Sequence, residues 1–259
     1  LKITGIQENH FAYKMWAYLN RLSFKKAYRL FTIGDRMADL ISTYVEKDKI
    51  LIQPIWAIFQ DSNKVEKQDN PFIEKHKLHG KFIVQYSGNI GLTHKVELML
   101  ELAEKMKYNE SILFQIIGRG PRVTELKNHV VNKGLSNCQF LPFQSDEMFP
   151  YSLGAADLGI VILDELTAKG SVPSKSYNLM SYGIPSLYIA SKDSELNNYC
   201  LKYKHAKCFT ESKLDEAVSF IENISNDKYN YNILVKNNLK ASENFKRVNA
   251  SKFVKAYMA

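Results

Sequence analysis

The stretch Leu158-Gly159-Ile160-Val161-Ile162-Leu163, then Gly170-Ser171-Val172-Pro173-Ser174-Lys175-Ser176-Tyr177-Asn178-Leu179-Met180-Ser181-Tyr182-Gly183-Ile184-Pro185, then Ser186-Leu187-Tyr188-Ile189-Ala190 decides the architecture. Two short apolar runs bounded by turn residues read as buried strands, and the segment between them has room for one short helix. This is a strand, loop, helix, strand unit. Pro173 suits a first helical turn and Ser174 a cap, so Ser171 to Lys175 would present backbone amides and an ammonium together. That combination reads as an anion site. An ordinary helix start beside a solvated lysine carries the same residues, because every helix start offers free amides.

Working outward, the same unit recurs. Strands are expected near 82–86, 112–117, 139–143, 158–163, 186–190 and 206–209. Helical stripes lie between them: Val96, Met99, Leu100, Ala103 and Met106; then Val123, Leu126 and Val130, closed by Gly134; then a short one over 148–155. The alternation predicts an α/β fold, a Rossmann-like parallel sheet covered by helices on both faces. The C-terminal part reads as helical, with Leu214, Ala217, Val218 and Ile221 on one stripe and Leu234, Val235, Leu239 and Phe245 on another.

Upstream, a helical stripe over 9–22 is followed by a strand over 29–33, Gly34, a helix carrying Met37, Leu40, Ile41 and Tyr44, and a strand over 49–53. This is one βαβ fragment, and the pattern then weakens. The expected division is 1–54 as the end of a preceding domain, 55–70 as a linker, 71–245 as the ligand-binding domain and 246–259 as a terminal helix. The chain opens on Leu1 rather than methionine, so the natural protein is expected to start earlier.

Composition narrows the partners. The net charge is +8 over 259 residues, which favours an anionic partner: nucleic acid, an acidic lipid surface or a phosphorylated small molecule. The lysines are dispersed, with no basic tail and no aromatic RNA-binding strand, which argues against nucleic acid. Lys14, Arg21, Lys25, Lys26 and Arg29 alternate with Trp16, Tyr18, Phe24 and Tyr28. Both an interfacial helix touching a membrane and, more favourably, a packed amphipathic helix with a basic outer face fit that patch. No apolar run approaches the roughly 18 residues of a membrane span, no secretory leader is seen, and the 3 cysteines form no C-x-x-C pair. A cytoplasmic protein, in possible contact with the inner membrane face, is the expectation.

Ligands of open parallel sheets bind beyond the carboxyl ends of the strands, so the loops there carry the chemistry. Three are unusual: Ser87-Gly88-Asn89-Ile90-Gly91-Leu92-Thr93-His94-Lys95, Gly118-Arg119-Gly120-Pro121, and the Ser171 to Lys175 loop. Glycines there let backbone approach a phosphate, although tight packing alone also selects glycine. Three such loops on one edge favour a diphosphate-bearing ligand. Val123 stands where a dinucleotide fingerprint needs its third glycine, no P-loop is present, and the 6 histidines accompany no nucleophile elbow. Nicotinamide dinucleotides, P-loop ATP hydrolysis and triad hydrolysis are thereby disfavoured.

The ordered set Tyr86-Ser87-Gly88-Asn89-Ile90-Gly91, Ile116-Ile117-Gly118-Arg119-Gly120-Pro121, Phe140-Leu141-Pro142-Phe143, Ala155-Ala156-Asp157-Leu158-Gly159-Ile160 and Ser171-Val172-Pro173-Ser174-Lys175 resembles the C-terminal domain of GT-B glycosyltransferases. More narrowly, it is similar to the family-four retaining enzymes of polysaccharide and O-antigen assembly. The resemblance implies transfer of a sugar from a nucleoside-diphosphate donor, expected to be UDP-linked, to a glycan or lipid-linked acceptor, with retention and without metal or other cofactor. It implies that Gly88, Asn89, Ile90, Gly91 and Lys95 hold the diphosphate, that Gly118, Arg119, Gly120 and Phe143 border the base, and that Ser171, Val172, Pro173, Ser174 and Lys175 grip sugar and phosphate. Lys95 and Lys175 would stabilise the leaving group.

Two departures stand out. Relatives carry two glutamates eight positions apart where this chain has Gly170 and Asn178, and an arginine where it has Asn89. Asn178 retains hydrogen-bonding capacity toward a ribose without a carboxylate's charge. A catalytically silent nucleotide-sugar-binding module and a nucleotide-sugar epimerase on the same fold therefore remain alternatives. A chain of this extent is expected to bind nucleotide yet transfer no sugar.

Overall fold

The structure is a computed structural model describing residues 6–58, 65–91 and 94–258. Residues 59–64 of the expected linker, Leu92 and Thr93 of the first glycine loop, and the last residue of the expected terminal helix lie outside these. The chain opens with α1 (Phe11–Lys26), β1 (Leu30–Thr32), α2 (Asp35–Ile41) and β2 (Ile50–Ile52), in which β1 and β2 pair in parallel. It continues through α3 (Pro71–His76), β3 (Phe82–Asn89), α4 (Glu97–Lys105), β4 (Ile112–Arg119), α5 (Val123–Lys133), β5 (Cys138–Leu141), α6 (Phe149–Gly154) and β6 (Leu158–Ile162). The remainder is α7 (Lys175–Ser181), β7 (Ser186–Ile189), α8 (Glu195–Tyr203), β8 (Ala206–Phe209), α9 (Leu214–Asn226), α10 (Lys228–Ser242) and α11 (Asn249–Met258).

Strands β3 to β8 form one sheet in the order β5-β4-β3-β6-β7-β8, every pairing parallel. Alternation along the strands sorts the two cores. Val84, Leu158, Ile160, Ile162, Leu187 and Ile189 pack with α4 and α9, while Val161 and Tyr188 face the other way into α7, α8 and Phe245. The order reverses between β3 and β6, which places the ligand crevice outside those two strand ends.

Local chemistry explains most boundaries. Gly134 takes the left-handed conformation (φ 62°) after α5, with Leu135 N donating to Val130 O and Gly134 N to Val131 O. β5 starts one residue before the expected strand and stops at Leu141, because Pro142 has no N–H to continue a ladder. β3 and β4 run further than expected: Gly88 pairs Gly118 and Asn89 pairs Arg119, so residues that read as loop are strand. Helix α8 was not expected at all. Its signals are local: the Ser194 side chain accepts from Asn197 N, and Leu196 and Tyr199 are buried on one face.

A polar ladder fixes register across three strands. Gln85 Nε2 donates to Gln115 Oε1 at 2.9 Å and to Ser152 O at 2.8 Å, and Gln115 Nε2 donates to Gln139 Oε1 at 2.8 Å. Replacing Gln115 with leucine removes one of the two acceptors of Gln85 Nε2 and the donor to the half-buried Gln139 Oε1, for an expected loss of about 1–2 kcal/mol. Urea unfolding checks this, and a change below about 0.5 kcal/mol would mean that water or a rotamer change satisfies the two remaining glutamines.

The N-terminal elements are bound to the sheet domain by a few polar contacts. Glu195, itself buried, accepts from Arg36 N at 2.8 Å in the first turn of α2, and a Cβ on Gly34 would stand 2.5 Å from Glu195 Cδ. Tyr199 Oη donates to Ile33 O, and Phe253 of α11 meets Phe31 with ring centroids 5.2 Å apart. The start of the linker is gripped at Ala57 N by Phe245 O, at Pro54 O by Asn249 Nδ2, and at Ile58 N by Asn178 Oδ1. The expectation of a packed α1 is corrected. None of its residues is buried, and Phe11 and Trp16 are 76% and 57% exposed, because among the described residues the N-terminal elements offer only a two-stranded sheet to cover it. Among the described residues no helix is long and apolar enough to cross a membrane.

Candidate functional site

The crevice is built from β3 outward. Tyr86 and Gly88 are two positions apart and so share a face of the strand. Gly88 has φ 152°, and a Cβ there would stand 2.8 Å from Lys175 Nζ. The space above Gly88 thus holds the lysine, whose Nζ lies 3.8 Å from the centre of the Tyr86 ring. Tyr86 is fixed beneath it by donating its hydroxyl to Asn89 O at 2.8 Å.

Lys175 is the first residue of α7, and its Nζ is buried without a hydrogen-bond partner among the described residues. The ring face offers partial electrostatic compensation, but removal from water dominates and pulls the amine down to about 7. A buried, unpaired amine is costly, and such groups concentrate where a charged ligand completes them. Ser174 does not cap α7: it has helical angles and makes no side-chain cap bond, and Ser176 Oγ instead donates to Pro173 O at 2.7 Å. Val172 is buried in the core beside α7, which fixes the loop from beneath.

Lys95 is differently placed. Its Nζ donates to Glu211 Oε1 at 2.6 Å and lies 3.9 Å from Asp164 Oδ2, and the bond to Glu211 raises its pKa. Two carboxylates therefore already face the cation expected to offset leaving-group charge. The neighbouring His94, which the residue patterns had not singled out, turns a buried Nδ1, without a partner among the described residues, toward the glycine turn, 3.2 Å from where a Cβ on Gly91 would stand. Asn89 Nδ2 lies 3.4 Å from that same position.

The second glycine loop has a packing reason. A Cβ on Gly118 would fall 2.1 Å from Gly88 O, and one on Gly120, at φ 153°, 2.2 Å from Ile90 O. Both glycines let the ends of β3 and β4 lie side by side. Arg119 extends beyond them with its guanidinium 5.3 Å from the Phe143 ring centre, and Phe143 is half exposed. At the two positions where relatives carry glutamate, Gly170 opens into the cleft with nothing within 4 Å of its Cβ position, and Asn178 commits Oδ1 to Ile58 N at 3.0 Å.

Of these residues His94, Gly170, Ser171, Pro173 and Lys175 border one open cleft of about 1260 Å³, whereas the two glycine turns, Lys95, Arg119, Phe143 and Asn178 are not among the residues that line it. Gly170, Ser171, Pro173, Lys175 and His94 form one wall, and Tyr13, Asn20, Phe24 and Tyr44 of the N-terminal elements form the other. The sequence reading missed that second wall.

A family described as "Glycosyl transferases group 1" matches residues 68–241, which holds the whole parallel sheet. The chain belongs to the group 1 glycosyl transferases. Within this glycosyl transferase family, the chain is 28% identical over 196 residues to "Probable glycosyltransferase WbjE" of Pseudomonas aeruginosa, covering 74% of this chain and 48% of that protein. Over 138 residues it is 30% identical to "Putative colanic acid biosynthesis glycosyl transferase WcaI" of Escherichia coli K12, covering 53% of this chain and 34% of that protein. The chain thus spans about half the length of the first and a third of the second. Among solved structures, HepE of Anabaena in complex with UDP-glucose superposes at a TM-score of 0.77 with 15% identity, over 97% of this chain and 69% of that one. The lipopolysaccharide glycosyltransferase WaaG superposes at 0.66 with 14% identity, over 91% and 64%. The sheet domain of this chain therefore has the GT-B architecture.

Proposed function

We propose that this chain carries the donor site of a retaining glycosyltransferase that moves a sugar from a UDP-sugar to a glycan or lipid-linked acceptor in polysaccharide assembly, with UDP as the leaving group. The observation that carries the reading is the buried, unpartnered Lys175 Nζ held over Tyr86 at the strand-order reversal. A diphosphate is the complement of that group: it supplies the charge and acceptor oxygens that the amine lacks. The Anabaena protein's complexes with UDP and with UDP-glucose support UDP as the base-bearing part.

In this reading Gly88, Asn89, Ile90 and Gly91 bring backbone to the diphosphate, and Ser171, Val172, Pro173 and Ser174 shape the sugar end. Gly118, Arg119, Gly120 and Phe143 border the base, with the exposed Phe143 ring as a stacking surface. Asn178 would meet a ribose only with Nδ2, since Oδ1 serves Ile58. Lys175 stabilises the departing diphosphate, and Lys95 joins it only by yielding its bond to Glu211. The silent-module reading draws on Gly170 and Asn178, and assays of sugar transfer to lipid-linked acceptors separate the two. A thermal-shift series with UDP, GDP and their sugars tests the donor reading directly, because a ligand of the folded state raises Tm by mass action. UDP at a hundredfold excess over its Kd is expected to add about 2.7 kcal/mol of stability. No shift with any nucleoside diphosphate would end the proposal.

A further inference from the structure

A second concavity, of about 380 Å³, opens at the C-terminal ends of β7 and β8 and adjoins the cleft, with Lys192 and Thr210 lining both. Its volume falls within the range of small-ligand sites, about 300–1,000 Å³. Three lysines, Lys192, Lys207 and Lys213, share it with a single carboxylate, Glu216. That carboxylate is matched by Lys213, and Asp193, the acid next to Lys192, is engaged by Lys169 at 3.4 Å. Lys192 and Lys207 are paired with no carboxylate among the described residues. Their backbones are nevertheless fixed. Lys207 lies in β8 opposite Leu187 of β7, while Lys192 O accepts from Asn197 Nδ2 at 2.8 Å and Asn197 N donates to Ser194 Oγ at 3.1 Å. A lone exposed lysine attracts little, but cations gathered round a concave wall add their fields and favour an anion.

The sheet order gives this pocket its place along a substrate. The residues assigned to the base stand at the ends of β4 and β5, and Lys175 meets Tyr86 and Gly88 of β3 where the order reverses toward β6. Strands β7 and β8 continue the sheet in the opposite direction, past the donor's sugar. With neighbouring strands about 4.8 Å apart, β8 lies about 10 Å beyond β6, further than one sugar ring reaches. The N-terminal wall of the cleft offers Tyr13, Asn20, Phe24, Leu40, Ile41 and Tyr44, none of them charged, so an acidic acceptor finds its cations only on the sheet side. We propose that the pocket binds an anionic group, a carboxylate or a phosphate, carried by the acceptor glycan, so that the sugar is added to an acidic chain. The proposal rests on the donor reading above and supplies the acceptor's charge, which that reading leaves open. Lys192, on the border of pocket and cleft, then stands between the two substrates.

NMR titrations of the full chain saturated with UDP test this, using methyl glucuronide, glucose 6-phosphate, neutral methyl glucoside and inorganic phosphate as probes. One of the two acidic sugars is expected to bind about tenfold more tightly than methyl glucoside, and the tighter of them identifies the anion. Lys192→Gln combined with Lys207→Gln, both exposed positions, is expected to abolish that preference with UDP affinity and Tm unchanged. Equal affinity for acidic and neutral sugars would overturn the proposal, as would inorganic phosphate binding as tightly as glucose 6-phosphate, since the pocket would then hold any anion. A parallel comparison of UDP-glucuronic acid with UDP-glucose separates acceptor from donor. If the acidic donor is preferred and the double variant loses that preference, the lysines read the donor's sugar and the assignment to the acceptor fails. Loss of UDP binding in the double variant would likewise move both lysines into the donor site. An unaltered protein that binds an acidic sugar but no UDP would refute the donor reading, and the acceptor assignment with it.

Discussion

Changing Lys175 to methionine is expected to make the ligand-free protein more stable and, in the same variant, to destroy nucleotide binding. The amine's folded value of about 7 lies far below its ordinary 10.5 because it is desolvated. Between those values the unfolded chain holds a proton that the folded chain lacks, so stability rises as pH climbs from about 7 to about 10.5 and is lowest below that window. Methionine removes the penalty, and near pH 7 the gain is on the order of 3 kcal/mol, several degrees in Tm. Tyr86 beneath and His94 beside the amine lie near it, and burial pushes the Tyr86 phenol up and the His94 imidazole down, so neither offers it a counter-charge. For the same reason UDP affinity is expected to fall as pH rises above about 7, since the anion then has to draw in a proton. Denaturation profiles of both proteins from neutral to alkaline pH, with UDP titrations alongside, provide the check. A methionine variant that melts lower and still binds UDP would mean that the amine is structural and wetter than its surroundings indicate.

The second large effect separates two glycines that look equivalent in sequence. Gly118→Val places a Cβ 2.1 Å from Gly88 O, a collision with backbone that no rotamer relieves, and should cost about 3–4 kcal/mol. Gly88→Ala meets only the flexible end of Lys175, at 2.8 Å, though it also strains φ 152°. Its expected stability cost is near 1 kcal/mol, while UDP binding fails because the amine is displaced. Gly170→Ala, in open space, serves as the neutral control. Urea midpoints for the three variants should rank in that order. Near-equal costs for Gly118→Val and Gly170→Ala would mean that the ends of β3 and β4 separate easily.

What the residues disclosed and what they concealed follow a physical division. Periodicities of 2.0 and 3.6 residues are written into single segments, so all six strands of the sheet and the Gly134 stop were readable. The end of β3 was not, because Ser87-Gly88-Asn89 has loop composition and becomes strand only through its neighbour β4. Helix α8 was passed over although Ser194, Leu196 and Tyr199 carry its signature, since Tyr and Asn dilute its apolar stripe. At the site, Lys175 was visible as a lysine beside a helix start, but its burial and its seat on Tyr86 depend on two segments about ninety positions apart. The same distance hid the reason for Gly88. Lys95 shows the converse: a cation on a suggestive loop, already matched by Glu211 from the far side of the sheet.

The contact between Glu195 and the start of α2 bears on how such proteins can be recombined. A carboxylate from the sheet domain seals the first turn of α2 in the N-terminal elements, in the space that the glycine at position 34 leaves open. Exchanging N-terminal elements between relatives would therefore import a residue at position 34 blind to the one at 195. A larger side chain there would push aside the end of the Glu195 side chain and leave Arg36 N facing a displaced carboxylate. Positions 34 and 195 are best moved together, as one cassette.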